Sequence, residues 1–186
     1  MAVSPDGATV FAAVQDEISG DWELFKSTDS GFSWQQTGLG SAMAAAGDTS
    51  DIVAVVLSPS WSTDDIIFAA TEKEVYYSDD RGSIFDDLAT VPGTSGAADI
   101  TSMILGQTNG TIAVVVGTSD GALGGDVYTL DMGVWNAQSV GAYDVLAVGV
   151  SPSYASDSTI VALVTDASQT RLRTKRGADN WALTVP

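Results

Sequence analysis

Carboxylates are the reactive groups this sequence offers in quantity: 20 of its 24 acidic residues are Asp and four are Glu. Two carboxylates held across a groove can hydrolyse a glycosidic bond, one as acid and the other as base or nucleophile. Several carboxylate and carbonyl oxygens gathered in one loop can instead hold a hard cation such as calcium. The loop "TSDGALGGD" offers Asp120 and Asp126 for that second use, and Asp64 with Asp65 or Asp79 with Asp80 offer shorter versions. None of these has EF-hand spacing, and Asp beside Gly or Ser is also ordinary turn chemistry. The chain contains no Cys and no His, which removes thiolates, disulfides, an imidazole base and the usual zinc ligand sets. No cofactor is expected, with calcium at Asp120 and Asp126 as the exception to check.

The opposite charge is scarce and concentrated. Of seven basic residues, Arg171, Arg173, Lys175 and Arg176 fall within "TRLRTKRG". Strand alternation sends Arg171, Arg173 and Lys175 to one face, either a solvated face that offsets acidic neighbours or a docking patch for an acidic protein partner. The net charge of -17 repels phosphate backbones and anionic membranes, so nucleic acid is excluded as a partner. Apolar runs such as "DVLAVGV" and "TIAVVVG" fall far short of the roughly 20 residues of a membrane helix, so no membrane insertion is expected. The opening "MAVSPDGATV" has no basic region leading into a long apolar run, so no signal peptide is read in this chain.

The elements that must position these groups repeat. "AVSPDGATVFAAV" from Ala2, "VVLSPSWSTDDIIFAAT" from Val55 and "VGVSPSYASDSTIVALV" from Val148 each join an apolar run, a Ser-Pro pair, a polar turn and a second apolar run. "DITSMILGQTNGTIAVVVG" from Asp99 fills the gap between them, with Gly106 in the proline's place. Trp34, Phe85, Trp135 and Trp181 recur independently at spacings of 51, 50 and 46. The runs are short, β-rich and bounded by Gly, Asp, Ser or Asn, and no 12-residue stretch keeps a helical period. Four strands can be drawn in the third unit, "ITSMIL", "TIAVVVG", "DVYTLD" and "WNAQSV". That is the content of one β-propeller blade, a four-stranded antiparallel sheet.

The stretch "STDSGFSW" lies between the third and fourth strands of its unit and resembles the Asp-box, or BNR repeat, with the pattern S-x-D-x-G-x-[TS]-W. Ser27, Asp29, Gly31, Ser33 and Trp34 all fit it. The other copies are looser. "SDDRGSIF" keeps Ser78, Asp80 and Gly82 with Phe85 for Trp; "TLDMGVW" keeps Asp131, Gly133 and Trp135 with one residue deleted; "TKRGADNW" keeps Trp181. The resemblance implies a hairpin in which the Asp binds turn amides, the Gly takes a positive φ and the Trp packs between strands. It further implies an all-β propeller, with a style similar to repeats of large exported or surface-layer-like bacterial proteins.

The expected architecture is one partial propeller over 1–186, in four blade units of about 1–45, 46–95, 96–142 and 143–186. Open blade faces at its two ends would be association surfaces. The expected function is a non-catalytic structural or interaction module of an exported or cell-surface bacterial protein, self-associating or binding another protein chain, with a glycan as a further candidate partner. The alternatives are a fragment of a sialidase-like or xyloglucanase-like glycoside hydrolase, and an assembly factor docking through Arg171, Arg173 and Lys175. Trp61 and Tyr154 recur two residues after their prolines, where aromatics either stack on sugars or pack between blades. "NGT" at Asn109 reads as a glycosylation sequon or as a hairpin turn.

Overall fold

The computed structural model describes residues 1–108 and 110–184; the Asn109 sequon lies outside them. The chain divides into two compact units, Met1–Leu88 and Ala89–Pro186. Each contains two four-stranded antiparallel sheets whose strands are neighbours in sequence order. Such meanders need only short turns between strands, and the Gly, Asp and Ser clusters of the sequence supply them.

In the first unit, β1 (Ala2–Val3), β2 (Val10–Gln15), β3 (Trp22–Ser27) and β4 (Gln35–Gln36) form the first sheet. The helix α1 (Leu39–Ala46) follows, then β5 (Ile52–Leu57), the single turn α2 (Trp61–Asp64), β6 (Ile67–Thr71), β7 (Val75–Ser78) and β8 (Asp86–Asp87). Strands β5 to β8 form the second sheet. Phe11 and Leu24 from one sheet and Ile67, Ala69 and Tyr76 from the other share a buried core. Phe11 meets Trp61 edge to face, with ring centroids 5.7 Å apart.

In the second unit, β9 (Asp99–Thr108), β10 (Thr111–Ser119), β11 (Val127–Asp131) and β12 (Val134–Ala137) form one sheet. The other consists of β13 (Asp144–Val150), β14 (Thr159–Thr165), β15 (Thr170–Arg176) and β16 (Ala182–Thr184), with the single turn α3 (Tyr154–Asp157) between β13 and β14. Val115 of β10 packs with Val145 of β13 and Ile160, Ala162 and Val164 of β14. No helix among the described residues is long and apolar enough to cross a membrane.

The helix α1 is not expected from the sequence, in which no 12-residue stretch keeps a helical period. Its eight residues bury Leu39 and Met43 on one face, and Gly47 ends it at φ 72°. Two apolar anchors four residues apart in an alanine-rich octet make too short a pattern to stand out, and the core of the first unit decides the matter.

Candidate functional site

The turn between β3 and β4 is built around Ser27 and Asp29. Ser27 Oγ donates to Asp29 Oδ1 at 2.8 Å and accepts the Gly31 amide at 2.8 Å. Asp29 then accepts the Ser33 amide on Oδ1 at 2.8 Å and the Ser33 hydroxyl on Oδ2 at 2.6 Å. Three donors favour the ionised form, the Ser33 hydroxyl most strongly, and hold the carboxyl at a pKa of about 2. Ser30 and Gly31 both take positive φ, 59° and 94°, which turns the chain back on itself within two residues.

The second copy reproduces this geometry. Ser78 Oγ donates to Asp80 Oδ1 at 2.8 Å and accepts the Gly82 amide at 2.9 Å, while Asp80 Oδ1 accepts the amides of Ser83 and Ile84. Arg81 and Gly82 have φ of 62° and 83°. Burial alone would raise the Asp80 pKa, but these hydrogen bonds outweigh it and hold the carboxyl below its ordinary value. The third copy, one residue shorter, is a two-residue hairpin: Asp131 pairs with Val134 across Met132 and Gly133, whose φ values are 48° and 77°.

The aromatic that closes each turn behaves differently from copy to copy. Phe85 and Trp135 are buried and Trp181 is half-buried, whereas Trp34 is 41% exposed. The indole N–H of Trp135 reaches the Ala89 carbonyl, and that of Trp181 reaches the Gln138 carbonyl at 2.8 Å. Ala89 and Gln138 each lie just after the last strand of the preceding sheet. Trp34 belongs to the first sheet, and its indole returns to its own turn, at Gly31 O, 3.0 Å away. The expected packing of Trp34 between strands is therefore not what the structure has, because the indole is held by Gly31 of its own turn and stays exposed.

Asp120 and Asp126, the candidate calcium ligands, both accept backbone amides, Asp120 within its own turn and Asp126 mainly from residues 139–140. Asp120 Oδ1 takes the amides of Ala122 and Gly124, both at 2.8 Å, which lower its pKa. Asp126 takes the amides of Val127 and Val140 on Oδ1 and that of Ser139 on Oδ2. Among the described residues no group of three or more Asp, Glu, His or Cys side chains is placed to hold a metal ion. Asp64 is bonded to Ser58 Oγ and the Ile66 amide, and Asp65 pairs with Arg81 at 2.7 Å.

The basic strand turns inward. Arg171 donates to the Tyr143 hydroxyl at 2.9 Å, Arg173 to Val140 O at 2.6 Å and Lys175 to Gln138 O at 3.4 Å. The Arg173 guanidinium lies 5.0 Å from the centre of the Tyr143 ring, within cation–π range. Asp166 pairs with Arg171 at 3.2 Å. All three side chains thus clamp residues 138–143 to β15, and Arg171, Arg173 and Lys175 are half-buried rather than spread over an open concave face.

The reading from sequence missed a second Ser/Asp device at the Ser-Pro pairs. Ser58 Oγ donates to Asp64 and Ser151 Oγ to Asp157, each six residues on, while Ser4 Oγ donates to Asp6 in the shorter first loop. The Ser-x5-Asp spacing in two copies was the available signal. Trp61 and Tyr154 sit inside these loops and are buried, so they pack rather than offer a platform. Asp48 was also missed. It accepts hydrogen bonds from Thr71 Oγ1 at 2.7 Å and Tyr76 Oη at 3.0 Å. Burial would raise its pKa, and the hydrogen bonds from Ser50, Thr71 and Tyr76 outweigh that effect and lower it. Burial and the Asp48 charge together push the Tyr76 hydroxyl far up.

Two depressions in the first unit carry more than one carboxylate. One, of about 230 Å³, is lined by Asp21, Trp22, Glu23, Gly40, Met43 and Asp48; the other, of about 270 Å³, by Phe85, Asp86, Asp87 and the alanines of α1. The second unit has a larger groove of about 650 Å³ with one carboxylate, Asp131, among Thr108, Ile112, Leu130 and Tyr154.

No protein-family model matches this chain, and neither does the sequence of any curated protein. Among solved structures, it is similar to the GH74 xyloglucanase from Xanthomonas campestris, with a TM-score of 0.70 at 19% identity, over 98% of this chain and 29% of that one. An ancestral GH74 enzyme matches with a TM-score of 0.66 at 16% identity, over 99% of this chain and 26% of that one. At these identities the likeness shows the fold. The chain is all-β, its four sheets are propeller blades, and it spans less than a third of the length of either propeller enzyme, so it is a partial propeller.

Proposed function

We propose that this chain is a structural and interaction module, a run of Asp-box blades from an exported or cell-surface protein that joins further blades through its end faces. The observation that carries this reading is the fate of its carboxylates. Asp29, Asp80 and Asp120 all accept amide hydrogen bonds inside their own turns. A carboxylate committed in this way is a poor proton donor at neutral pH, because its charged form is the one that the turn stabilises. The Ser-x-Asp-x-Gly turns with paired positive φ support placing the blades in the Asp-box class. The acidic, Cys-free composition supports an exported setting.

The GH74 likeness favours a second reading, a segment of a propeller glycoside hydrolase that supplies only part of the catalytic site. The depression lined by Asp21 and Glu23 is where such a segment would hold sugar. Incubating the purified chain with xyloglucan, other β-glucans and sialosides, and assaying released reducing ends, separates the readings. No release is expected. Turnover of xyloglucan that is lost in Asp21→Asn or Glu23→Gln would establish the hydrolase reading instead.

A further inference from the structure

In the second unit the sheet β13–β16 covers one face of the sheet β9–β12, and that contact defines what each side of a blade does. Ile160, Ala162 and Val164 are the covering side, packed on Val115, which is fully buried. Thr101 Oγ1 donates across the contact to Val145 O at 2.7 Å, and the Val148 amide donates to Ser102 Oγ at 3.0 Å. Aligning "GTIAVVVG" with "STIVALVT", and "DITS" with "DVLA", places Leu163 where Val115 stands and Leu146 where Thr101 stands. These positions are covered in the one sheet and open in the other. Leu163 is 37% exposed, Leu146 43%, and Leu172, directly opposite Leu163 in the register, 42%. By alternation the same side of β14 carries Thr159, Val161, Leu163 and Thr165. In a chain of net charge -17, this row carries no charge.

The matching half is in the first unit. Aligning "ATVFAAV" with "STIVALV" places Val10, Ala12 and Val14 where Ile160, Ala162 and Val164 stand. Val14 and Val3 are about half exposed, at 48% and 49%. Trp34 gives an independent sign on the same sheet. The equivalent Trp135 and Trp181 reach back to the chain that follows the preceding sheet, whereas Trp34 is turned on its own loop and left exposed.

We infer that a second copy of this chain docks the Val10, Ala12 and Val14 side of its first blade onto the Leu163 and Leu172 side of the last blade. This rests on the reading of the chain as an assembling module. It repeats between copies the contact that β13–β16 already makes on β9–β12. The contact is head to tail, so each copy keeps one free face of each kind until a ring closes or a filament grows.

Sedimentation velocity of the full chain, from micromolar to millimolar concentration, tests it. Species heavier than the 19.1 kDa monomer are expected for the wild type. Leu163→Asp and Leu172→Asp, both at exposed positions, are each expected to be monomeric with an unchanged far-ultraviolet spectrum, and so is Val14→Lys. An equimolar mixture of Leu163→Asp and Val14→Lys keeps one intact face of each kind and is expected to stop at the heterodimer. Trp34 emission should shift to the blue in that mixture and not in its Trp34→Phe counterpart. A wild type that stays monomeric, an assembly indifferent to both leucine variants, or a mixture that does not pair would overturn the docking. Xyloglucan turnover would instead defeat the underlying module reading, whatever mass is measured.

Discussion

Asp29 shows what an aspartate is worth at this position. Its carboxylate gathers a neighbouring hydroxyl, an amide and a second hydroxyl within four residues of itself, and its pKa falls from the ordinary 3.8 to about 2. A folded-state pKa below the unfolded one contributes stability that is present above about pH 4 and is lost as the pH falls through about 2. Acid titration followed by circular dichroism is expected to show a loss of stability in that window, reduced in Asp29→Asn. Asp29→Ala should lower the melting temperature at neutral pH without altering any binding. A variant that kept its melting temperature but lost a ligand would mean that the carboxylate serves a partner and not the turn. Asp157 repeats the logic in a Ser-Pro loop: the Thr159 amide at 2.9 Å is the main cause of its lowered pKa, with Ser151 adding to it.

The connections within blades explain the irregular third copy at the level of elements. Between β5 and β6, and between β13 and β14, the chain crosses by a Ser-Pro loop with one helical turn, and the aromatic on that turn is buried. Strands β9 and β10 are longer and have no such loop, and Gly106 stands where the proline would be. The reason lies in the neighbouring sheet. A Cβ on Gly106 would come within 2.5 Å of Cδ1 of Tyr154, on α3. An aromatic ring held by its own core cannot retreat as a flexible chain end would. Gly106→Ala is therefore expected to cost about 1–3 kcal/mol, as overpacking does. In a Tyr154→Leu background the added cost should shrink, because the clashing ring atoms are gone. Thermal melts of the four variants check this, and a Gly106→Ala penalty independent of residue 154 would place its cause in the backbone of β9.

For the molecule as a whole, charge and apolar faces act against each other. Copies carrying a net charge of -17 repel, and the repulsion reaches across about 30 Å at 0.01 M salt but only about 10 Å at 0.1 M. A contact made by Leu163, Leu172, Val10 and Val14 has no ion pair to lose. Self-association should therefore strengthen as sodium chloride is raised from the lower to the higher concentration, read as an increase in weight-average mass at fixed protein concentration. Weakening with salt would assign the contact to charged groups, with Arg176 at the end of the β15 row the first to substitute.

Much of the architecture is legible in the sequence. A period near 50 residues, short β-rich runs and Asp–Gly turns specify blades, because strand pairing between sequence neighbours depends on alternation and turn chemistry confined to a dozen residues. The Asp29 turn was equally legible, since all its partners lie between Ser27 and Trp34. What the sequence left open involves residues far apart in the chain. Arg171, Arg173 and Lys175 were correctly placed on one side of a strand, but only the stacking of sheets brought residues 138–143 against that side. Trp34 and Trp135 are the same residue in the same motif, and one is exposed while the other is buried because the Trp135 indole bonds Ala89, 46 residues back in the chain, whereas the Trp34 indole bonds Gly31 within its own turn. A turn carries its partners within itself, whereas a blade face acquires its partner only when another sheet is laid against it.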